Sequence, residues 1–362
     1  MPARELQLAD ITALSKQLIL PSSVLVEVCH TCNENCIHCC LSQHSKRGLT
    51  LAQYDNLFDQ MVQAGTFYVI LTGGEPFTRA DFMEIVESAR KRRLSTSIFT
   101  NGNLINKEQI ARLRDLYVDE VHVSIYCADP QIHDAVTRIP CSFEKSVAAI
   151  QEMLRVGMAV RIKCPLMNMT AGSIDETKQL AADLGVNVQY TLAITAKNNG
   201  DCDTHKCRLT QDQLHELISD PDVVTQSTKP VHFMENLDCI PCDTVFNGGA
   251  IDPDGNVYVC NQWSVIGGNI LEKPLLEIWR ESPKFNRIRG IRLRDLKKCG
   301  SCDLFRYCTR CPGLAQLEDD DVYGCSSIAK VVAEERKKAG VFPTEAHIFS
   351  QSIGKKDNHE VH

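Results

Sequence analysis

Ser23-Val24-Leu25-Val26-Glu27-Val28-Cys29-His30-Thr31-Cys32-Asn33-Glu34-Asn35-Cys36-Ile37-His38-Cys39-Cys40 sets a short β-branched run directly before a knot of thiols. Val24–Val28 has the composition of a strand, and the cysteines begin where it ends. Outward from it, five similar runs recur: Phe67–Thr72, Ser95–Thr100, Glu120–Ile125, Val160–Pro165 and Val188–Ala193. Between them lie stretches with helical periodicity: Leu51–Ala64, Phe82–Lys91, Lys107–Leu113, Phe143–Val156 and Ile174–Leu184. In the first, Leu51, Tyr54, Leu57, Phe58, Met61 and Val62 recur at steps of three and four. Gly65, Gly157 and Gly185 follow helical stretches and mark their ends. Strands alternating with helices predict an α/β core with a parallel sheet and right-handed crossovers. The sheet is either doubly wound or an open (β/α)6 relative of the barrel. In both, ligand residues gather at the C-terminal ends of the strands.

After about residue 193 the rhythm breaks. Lys197–Arg208 reads as a polar loop and Gln211–Ser219 as a short helix. From Cys239 onward the chain is rich in Gly, Pro and Cys, which predicts a small domain held by metal instead of a large apolar core. Ala329–Ala339 reads as a terminal helix. The last residues, through Lys355-Lys356-Asp357-Asn358 to His359 and His362, read as a frayed tail. The expected division is an N-terminal segment (1–22), a core (23–225), a cysteine-rich domain (226–330) and a helix with tail (331–362).

At 362 residues, with 43% hydrophobic and 23% charged side chains, the chain is an ordinary globular protein of about two domains. No apolar run approaches the roughly 20 residues that span a bilayer. Met1-Pro2-Ala3-Arg4-Glu5 lacks the apolar stretch of a signal peptide, so a cytoplasmic location is expected. A net charge of −7 gives no general attraction to nucleic acid or to a membrane surface. Eighteen cysteines in such a chain point to metal before disulfides.

Cys32, Cys36 and Cys39 form a C-x3-C-x2-C loop at the end of the first strand. Three thiolates leave one iron of a [4Fe–4S] cube open to another ligand. With Cys29 as a fourth, the set would instead be a closed zinc or Fe–S site. Further motifs follow the next strands: Thr72-Gly73-Gly74-Glu75-Pro76, Thr100-Asn101-Gly102 and Ser124. Together with the stretch from Val123 to Arg138, they resemble the radical S-adenosylmethionine (SAM) enzymes, peptide-modifying members especially. The resemblance implies a partial (β/α)6 barrel in which Cys32, Cys36 and Cys39 carry the cluster that binds SAM. It also implies SAM contacts from His38, Gly73, Gly74, Glu75, Pro76, Asn101 and Ser124, with Arg138 a candidate partner of the SAM carboxylate. Cys29 stands where the family has Thr or Ser.

The second region has Cys242, the Pro253-Asp254-Gly255 turn of a hairpin, Cys260, Gly268-Asn269-Ile270 and Glu277-Ile278-Trp279. Cys299-x2-Cys302-x5-Cys308-x2-Cys311 and Cys325 complete it. The pattern resembles the SPASM domain, which carries auxiliary Fe–S clusters, although that family often has three residues between the last two of the quartet. By resemblance, Cys242, Cys260 and Cys311 hold an inner cluster, with Cys239 a candidate fourth ligand or an iron left open for substrate. Cys299, Cys302, Cys308 and Cys325 hold an outer one. Structural zinc is the alternative for the Cys-x2-Cys pairs. Cys127, Cys141, Cys164, Cys202 and Cys207 read as buried small hydrophobes, and the basic run Arg287–Lys298 as a solvated face.

The resemblance implies reductive cleavage of SAM to a 5′-deoxyadenosyl radical, which abstracts hydrogen from a ribosomally made precursor peptide. The product is a crosslink, thioether, epimer or backbone excision. The cofactors implied are SAM, its [4Fe–4S] cluster and two auxiliary clusters. The partners implied are the precursor peptide, a ferredoxin- or flavodoxin-type reductant and a separate small leader-recognition protein, since only about 20 residues precede the first strand. The alternatives are a tetrapyrrole-modifying enzyme, a sulfatase-type maturase and a non-catalytic Fe–S electron carrier.

Overall fold

The computed structural model describes residues 8–224, 226–227 and 236–343. Lys355–Asn358, His359 and His362 lie outside the described residues, as does most of the stretch following the expected domain border. Six strands follow the chain in order: β1 (Ser23–Glu27), β2 (Tyr68–Thr72), β3 (Ser95–Thr100), β4 (Glu120–Ser124), β5 (Val160–Pro165) and β6 (Asn187–Thr191). They pair in parallel, each with the next, and β6 ends the sheet. A doubly wound sheet reverses its order at a switch point. These six strands never do, so the core is an open partial barrel.

Helix α1 (Leu8–Gln17) precedes the sheet, and α2 (Leu51–Gln63), α3 (Phe82–Lys91) and α4 (Lys107–Asp115) make the first crossovers. The next crossover holds two helices, α5 (Pro130–Thr137) and α6 (Ser142–Arg155), followed by α7 (Ile174–Leu184). Neither α1 nor α5 was expected from the periodicity. Asp129 caps α5 by accepting from Gln131 N and Ile132 N, and Pro130 opens it, an Asp-Pro start that favours a helix.

Strand alternation sorts the core residues onto two faces. Val24, Val26, Val69, Leu71, Ile98, Val121, Val123 and Ile162 are buried on one. Glu27 and Thr72, Phe99 and His122, Ser124 and Lys163 are register partners on the other. The second face mixes these polar and charged residues with Leu25, Ile70 and Phe99, and it is the inside of the partial barrel.

Beyond the core, α8 (Gln211–Ile218) packs on the terminal helix, and the short β7 (Gln226–Ser227) pairs with the last strand of the described chain. β8 (Ala250–Ile251) adds in parallel to the free edge of β1. The antiparallel β9 (Asn256–Tyr258) and β10 (Ile266–Asn269) complete a nine-stranded sheet. The remaining elements are α9 (Thr244–Asn247), α10 (Leu275–Glu281), α11 (Pro283–Arg289), α12 (Pro312–Asp319), α13 (Ser327–Ala339) and β11 (Phe342–Pro343).

Three expectations need correction. The cysteine-rich region does have an apolar core: Leu275, Ile278, Trp279 and Phe285 are buried and continuous with Val24 and Leu57. The reason is docking, since β8 extends β1 and Gln60 Oε1 accepts from Leu275 N at 2.9 Å. Arg289 does not belong to a solvated face. Its guanidinium lies 4.9 Å from the Trp279 ring and donates to Val245 O, and burial lowers it to about 10. Cys127, Cys164 and Cys207 are buried, but Cys141 and Cys202 are exposed. Cys141 precedes α6 in a left-handed conformation, and Cys202 sits in the polar loop.

Candidate active site

The cysteine loop leaves the C-terminal end of β1 and rests on the end of α5, where Asn35 N donates to Thr137 O and Ile37 N to Val136 O. Cys32, Cys36 and Cys39 are half-buried. Burial raises Cys32 to about 12 and raises Cys36 and Cys39 as well, and Cys32 and Cys36 both feel the charge of Cys39. Such thiols stay protonated until a cation stabilises the thiolates, so loading a metal here releases protons. Cys29 is fully buried, with its sulfur 3.4 Å from Glu75 O. Among the described residues, no group of three or more His, Cys, Asp or Glu side chains is arranged to hold a single metal ion.

The loop after β2 presses against this segment. A Cβ on Gly73 (φ +150°) would sit 2.2 Å from Cys29 O, and one on Gly74 2.4 Å from Thr31 O. Only glycine permits that approach, which lets Gly74 N donate to Cys29 O and Glu75 N to Thr31 O, both at 2.8 Å. The Glu75 carboxylate is fully buried. It accepts from Phe77 N at 3.1 Å, Thr100 Oγ1 at 2.8 Å and Asn101 N at 2.7 Å. Desolvation raises it to about 7 against the pull of these donors. Glu75 thereby ties the β2 loop to the β3 loop. Pro76 opens the turn that follows, packed in the interior.

The third loop grips the first. Asn101 Nδ2 donates to Asn33 Oδ1 at 2.9 Å, and Asn103 Nδ2 to Glu34 Oε1 at 3.1 Å and Ser146 Oγ at 3.0 Å. Glu34 Oε2 accepts from Cys36 Sγ at 3.2 Å, and desolvation raises Glu34 to about 7. His38 lies edge-on to Tyr126, with ring centroids 4.8 Å apart and a buried Nδ1 that has no hydrogen-bond partner. Burial lowers His38 to about 4, so it is neutral at pH 7. Ser124 ends β4 on the interior face. Arg138 caps α5 in the left-handed conformation and is exposed. Glu34, Asn103, Ser146 and Tyr126 were not singled out from the sequence. Their signal is only that polar residues sit inside the motif loops and an aromatic one follows β4.

The cysteines of the second region fall into two groups. Cys311 feels the charges of Cys242 and Cys260, and burial raises Cys260 and Cys311 to about 12. Cys239 is half-buried beside Leu293, which donates its N–H to Cys239 O. Cys299, Cys302, Cys308 and Cys325 line one cavity of about 40 Å³ together with Cys311, among mostly apolar residues with Arg310, Ser326, Lys298 and Lys330. Arg310 stacks 4.1 Å above the Phe305 ring. Thiols gathered around one mostly apolar cavity, beside a guanidinium, fit a cluster that is anionic in sum.

Two family models match this chain: the radical SAM superfamily over residues 26–183 and the SPASM iron–sulfur cluster-binding domain over residues 242–312. Together they take in more than half of it. The chain is a radical SAM enzyme with a SPASM domain. Its cofactors are accordingly SAM, the [4Fe–4S] cluster that binds it and auxiliary Fe–S clusters. The AdoMet-dependent heme synthase of Methanosarcina barkeri is 25% identical over 329 residues, 83% of this chain and 94% of that protein. The mycofactocin maturase MftC of Mycobacterium tuberculosis is 28% identical over 315 residues, covering 82% of this chain and 80% of the maturase. In fold the chain resembles Streptococcus suis SuiB bound to its precursor peptide SuiA. The TM-score is 0.68 at 18% identity, over 89% of this chain and 80% of that one.

Among the described residues, no helix is long and apolar enough to cross a membrane.

Proposed function

We propose that this radical SAM enzyme modifies a ribosomally made precursor peptide in the cytoplasm, with Cys32, Cys36 and Cys39 holding the SAM-binding cluster. The observation that carries the reading is the knitting of three loops, from β1, β2 and β3, into one hydrogen-bonded unit at the mouth of a polar barrel interior. Cys32, Cys36 and Cys39 would hold a cluster that, when bound and reduced, would supply the 5′-deoxyadenosyl radical from SAM for hydrogen abstraction from the substrate. The chain's own residues orient and exclude. Gly73, Gly74 and Pro76 shape the β2 loop for the SAM amino group. Glu75 holds that loop rigid from behind, and Asn101 and Ser124 offer polar contacts along the rim. His38 and Tyr126 form an aromatic wall beside Cys36, and Arg138 at the exposed rim is the candidate partner of the SAM carboxylate.

Cys242, Cys260 and Cys311 would hold the inner auxiliary cluster, with Cys239 or the substrate as fourth ligand. Cys299, Cys302, Cys308 and Cys325 would hold the outer one. The proposed units are the core (23–225) and the auxiliary-cluster domain (226–330), joined through the β1–β8 pairing. A strong reductant of ferredoxin or flavodoxin type is required, given potentials near about −400 mV for such couples. A separate small protein would present the leader. The names of MftC as a maturase and of SuiB with a bound precursor peptide support the peptide substrate. One observation favours a second reading: the similarity to a heme synthase over nearly the whole of that protein supports a tetrapyrrole substrate.

The test is anaerobic incubation of reconstituted enzyme with SAM, dithionite and a precursor peptide encoded beside its gene, read by mass spectrometry. A SAM-dependent mass change in the peptide is expected. An unchanged peptide, with a porphyrin-type substrate consumed instead, would establish the second reading.

A further inference from the structure

The barrel interior carries charge that the cofactor reading does not use. On β4 and β5 the interior residues are Glu120, His122 and Ser124 beside Arg161 and Lys163, with His122 paired to Arg161 and Ser124 to Lys163. Glu120 is already satisfied: Arg161 Nε lies 3.2 Å from Oε1, and His122 Nε2 2.7 Å from Oε2. His122 and Arg161 together hold Glu120 below the usual carboxylate range against the effect of its burial, and burial lowers His122. Glu120 and Arg161 therefore cancel. Lys163, one position nearer the mouth, has no carboxylate of its own. Its Nζ lies 4.0 Å from the centroid of Phe99, and among the described residues no ion pair or hydrogen bond engages it. Phe99 in turn lies against His122, with centroids 4.6 Å apart.

A largely desolvated ammonium whose one close contact is an aromatic face, with the charge of Glu120 favouring it and that of Arg161 opposing it, is under-compensated. Burial lowers Lys163 to about 8, which still leaves it mainly charged at pH 7. An anion arriving at this position would regain what burial costs. One ammonium on a flexible stem matches a single carboxylate; phosphate is more often gripped by guanidinium forks or several backbone N–H groups.

We infer that Lys163 docks a carboxylate of the substrate peptide inside the barrel, next to Ser124 and beneath the cysteine loop. The inference rests on the radical SAM peptide-modifying reading and names what that site selects. The carboxylate belongs either to an Asp or Glu side chain or to the peptide's C-terminus, and Lys163 holds it so that a neighbouring carbon faces the SAM site. Lys163 is thus a positioning and specificity residue.

The test uses full-length, anaerobically reconstituted enzyme saturated with SAM, titrated calorimetrically with two probe pairs. N-acetyl-dialanine against its C-terminal amide reports the C-terminal source. N-acetyl-glutamate amide against N-acetyl-glutamine amide reports the side-chain source. The wild type is expected to prefer at least one carboxylate over its amide by roughly tenfold or more, the scale of one charge-assisted hydrogen bond. Lys163→Met should erase the preference and Lys163→Arg retain it, with SAM affinity unchanged in both. No carboxylate preference in the wild type, or one that survives Lys163→Met, overturns the inference. So does weaker SAM binding in Lys163→Met, which would assign the lysine to the carboxylate of SAM itself. Formation of 5′-deoxyadenosine after reduction is measured in parallel. Its absence from the wild type would reject the underlying enzymatic reading, whereas its presence without carboxylate preference rejects only the role of Lys163.

Discussion

Glu75→Gln replaces a fully buried carboxylate, the tie between two motif loops, by its neutral isostere. The folded-state pKa of about 7 stands above the ordinary 4.5. Between those values the native state holds a proton that the unfolded chain releases, so wild-type stability falls as pH rises through this window. A gap of roughly 2.5 units corresponds to about 3 kcal/mol, of which about 2–3 kcal/mol accrues between pH 5 and pH 7.5. The glutamine variant lacks this loss but turns an amide N–H2 toward a donor, Asn101 N or Phe77 N, at a pH-independent cost of about 1–3 kcal/mol. The variant should therefore be less stable than the wild type at pH 5 and close to it, or above it, at pH 7.5. Urea unfolding of both proteins at the two pH values, followed by far-UV circular dichroism, gives the difference directly. A wild-type-minus-variant difference that does not change with pH would refute the reasoning. It would mean that the three donors keep the carboxylate ionised throughout and that burial does not dominate its titration.

Gly73→Ala should displace the β2 loop, because its Cβ would meet Cys29 O at 2.2 Å at a positive φ. We expect SAM affinity to fall at least tenfold by equilibrium dialysis, and near-wild-type affinity would contradict the packing. His133 is buried between Tyr126 and Phe143, and desolvation lowers it to about 4. The unfolded chain binds the extra proton between pH 4 and 6.5, so His133 withdraws up to about 3 kcal/mol of stability as pH falls through that range. Urea midpoints of His133→Gln should be correspondingly less steep in pH there, and parallel curves would exclude the effect. Cys29→Ser should keep most SAM cleavage, since Cys29 Sγ faces Glu75 O and Thr78 Oγ1. Loss of the cluster absorbance as complete as in Cys36→Ala would instead make Cys29 a ligand.

The core was legible because its strands and helices each carry a period of their own. Ser95–Thr100, Val160–Pro165, Phe82–Lys91 and Ile174–Leu184 fall where alternation and helical spacing predict them. The alternation of charge in Val160-Arg161-Ile162-Lys163 held further information, since charged residues every second position require a strand with one polar face. That distinction favours a barrel interior over a doubly wound sheet. Less was legible where an element is too short for a period. β8 has two residues, and its annealing to β1 is set by tertiary docking. For the same reason the apolar cluster of Trp279 and Phe285, with Arg289 stacked upon it, was read as metal-held loop and solvated charge. At the site, the cysteine spacing suggested a metal-binding loop, and the roles of Gly73 and Gly74 came from the family resemblance. Glu34, Asn103 and Tyr126 could not be named, because their roles depend on which loops meet.

The central claim is that Cys32, Cys36 and Cys39 hold a cluster that cleaves SAM. It is tested most directly by reducing anaerobically reconstituted protein with dithionite in the presence of SAM and measuring 5′-deoxyadenosine, beside metal analysis of the wild type and a Cys32/Cys36/Cys39 triple-alanine variant. The account predicts about twelve irons in the wild type, about four fewer in the variant, and 5′-deoxyadenosine from the wild type alone. Zinc in place of iron at the first loop, or 5′-deoxyadenosine formed equally by the variant, would contradict it.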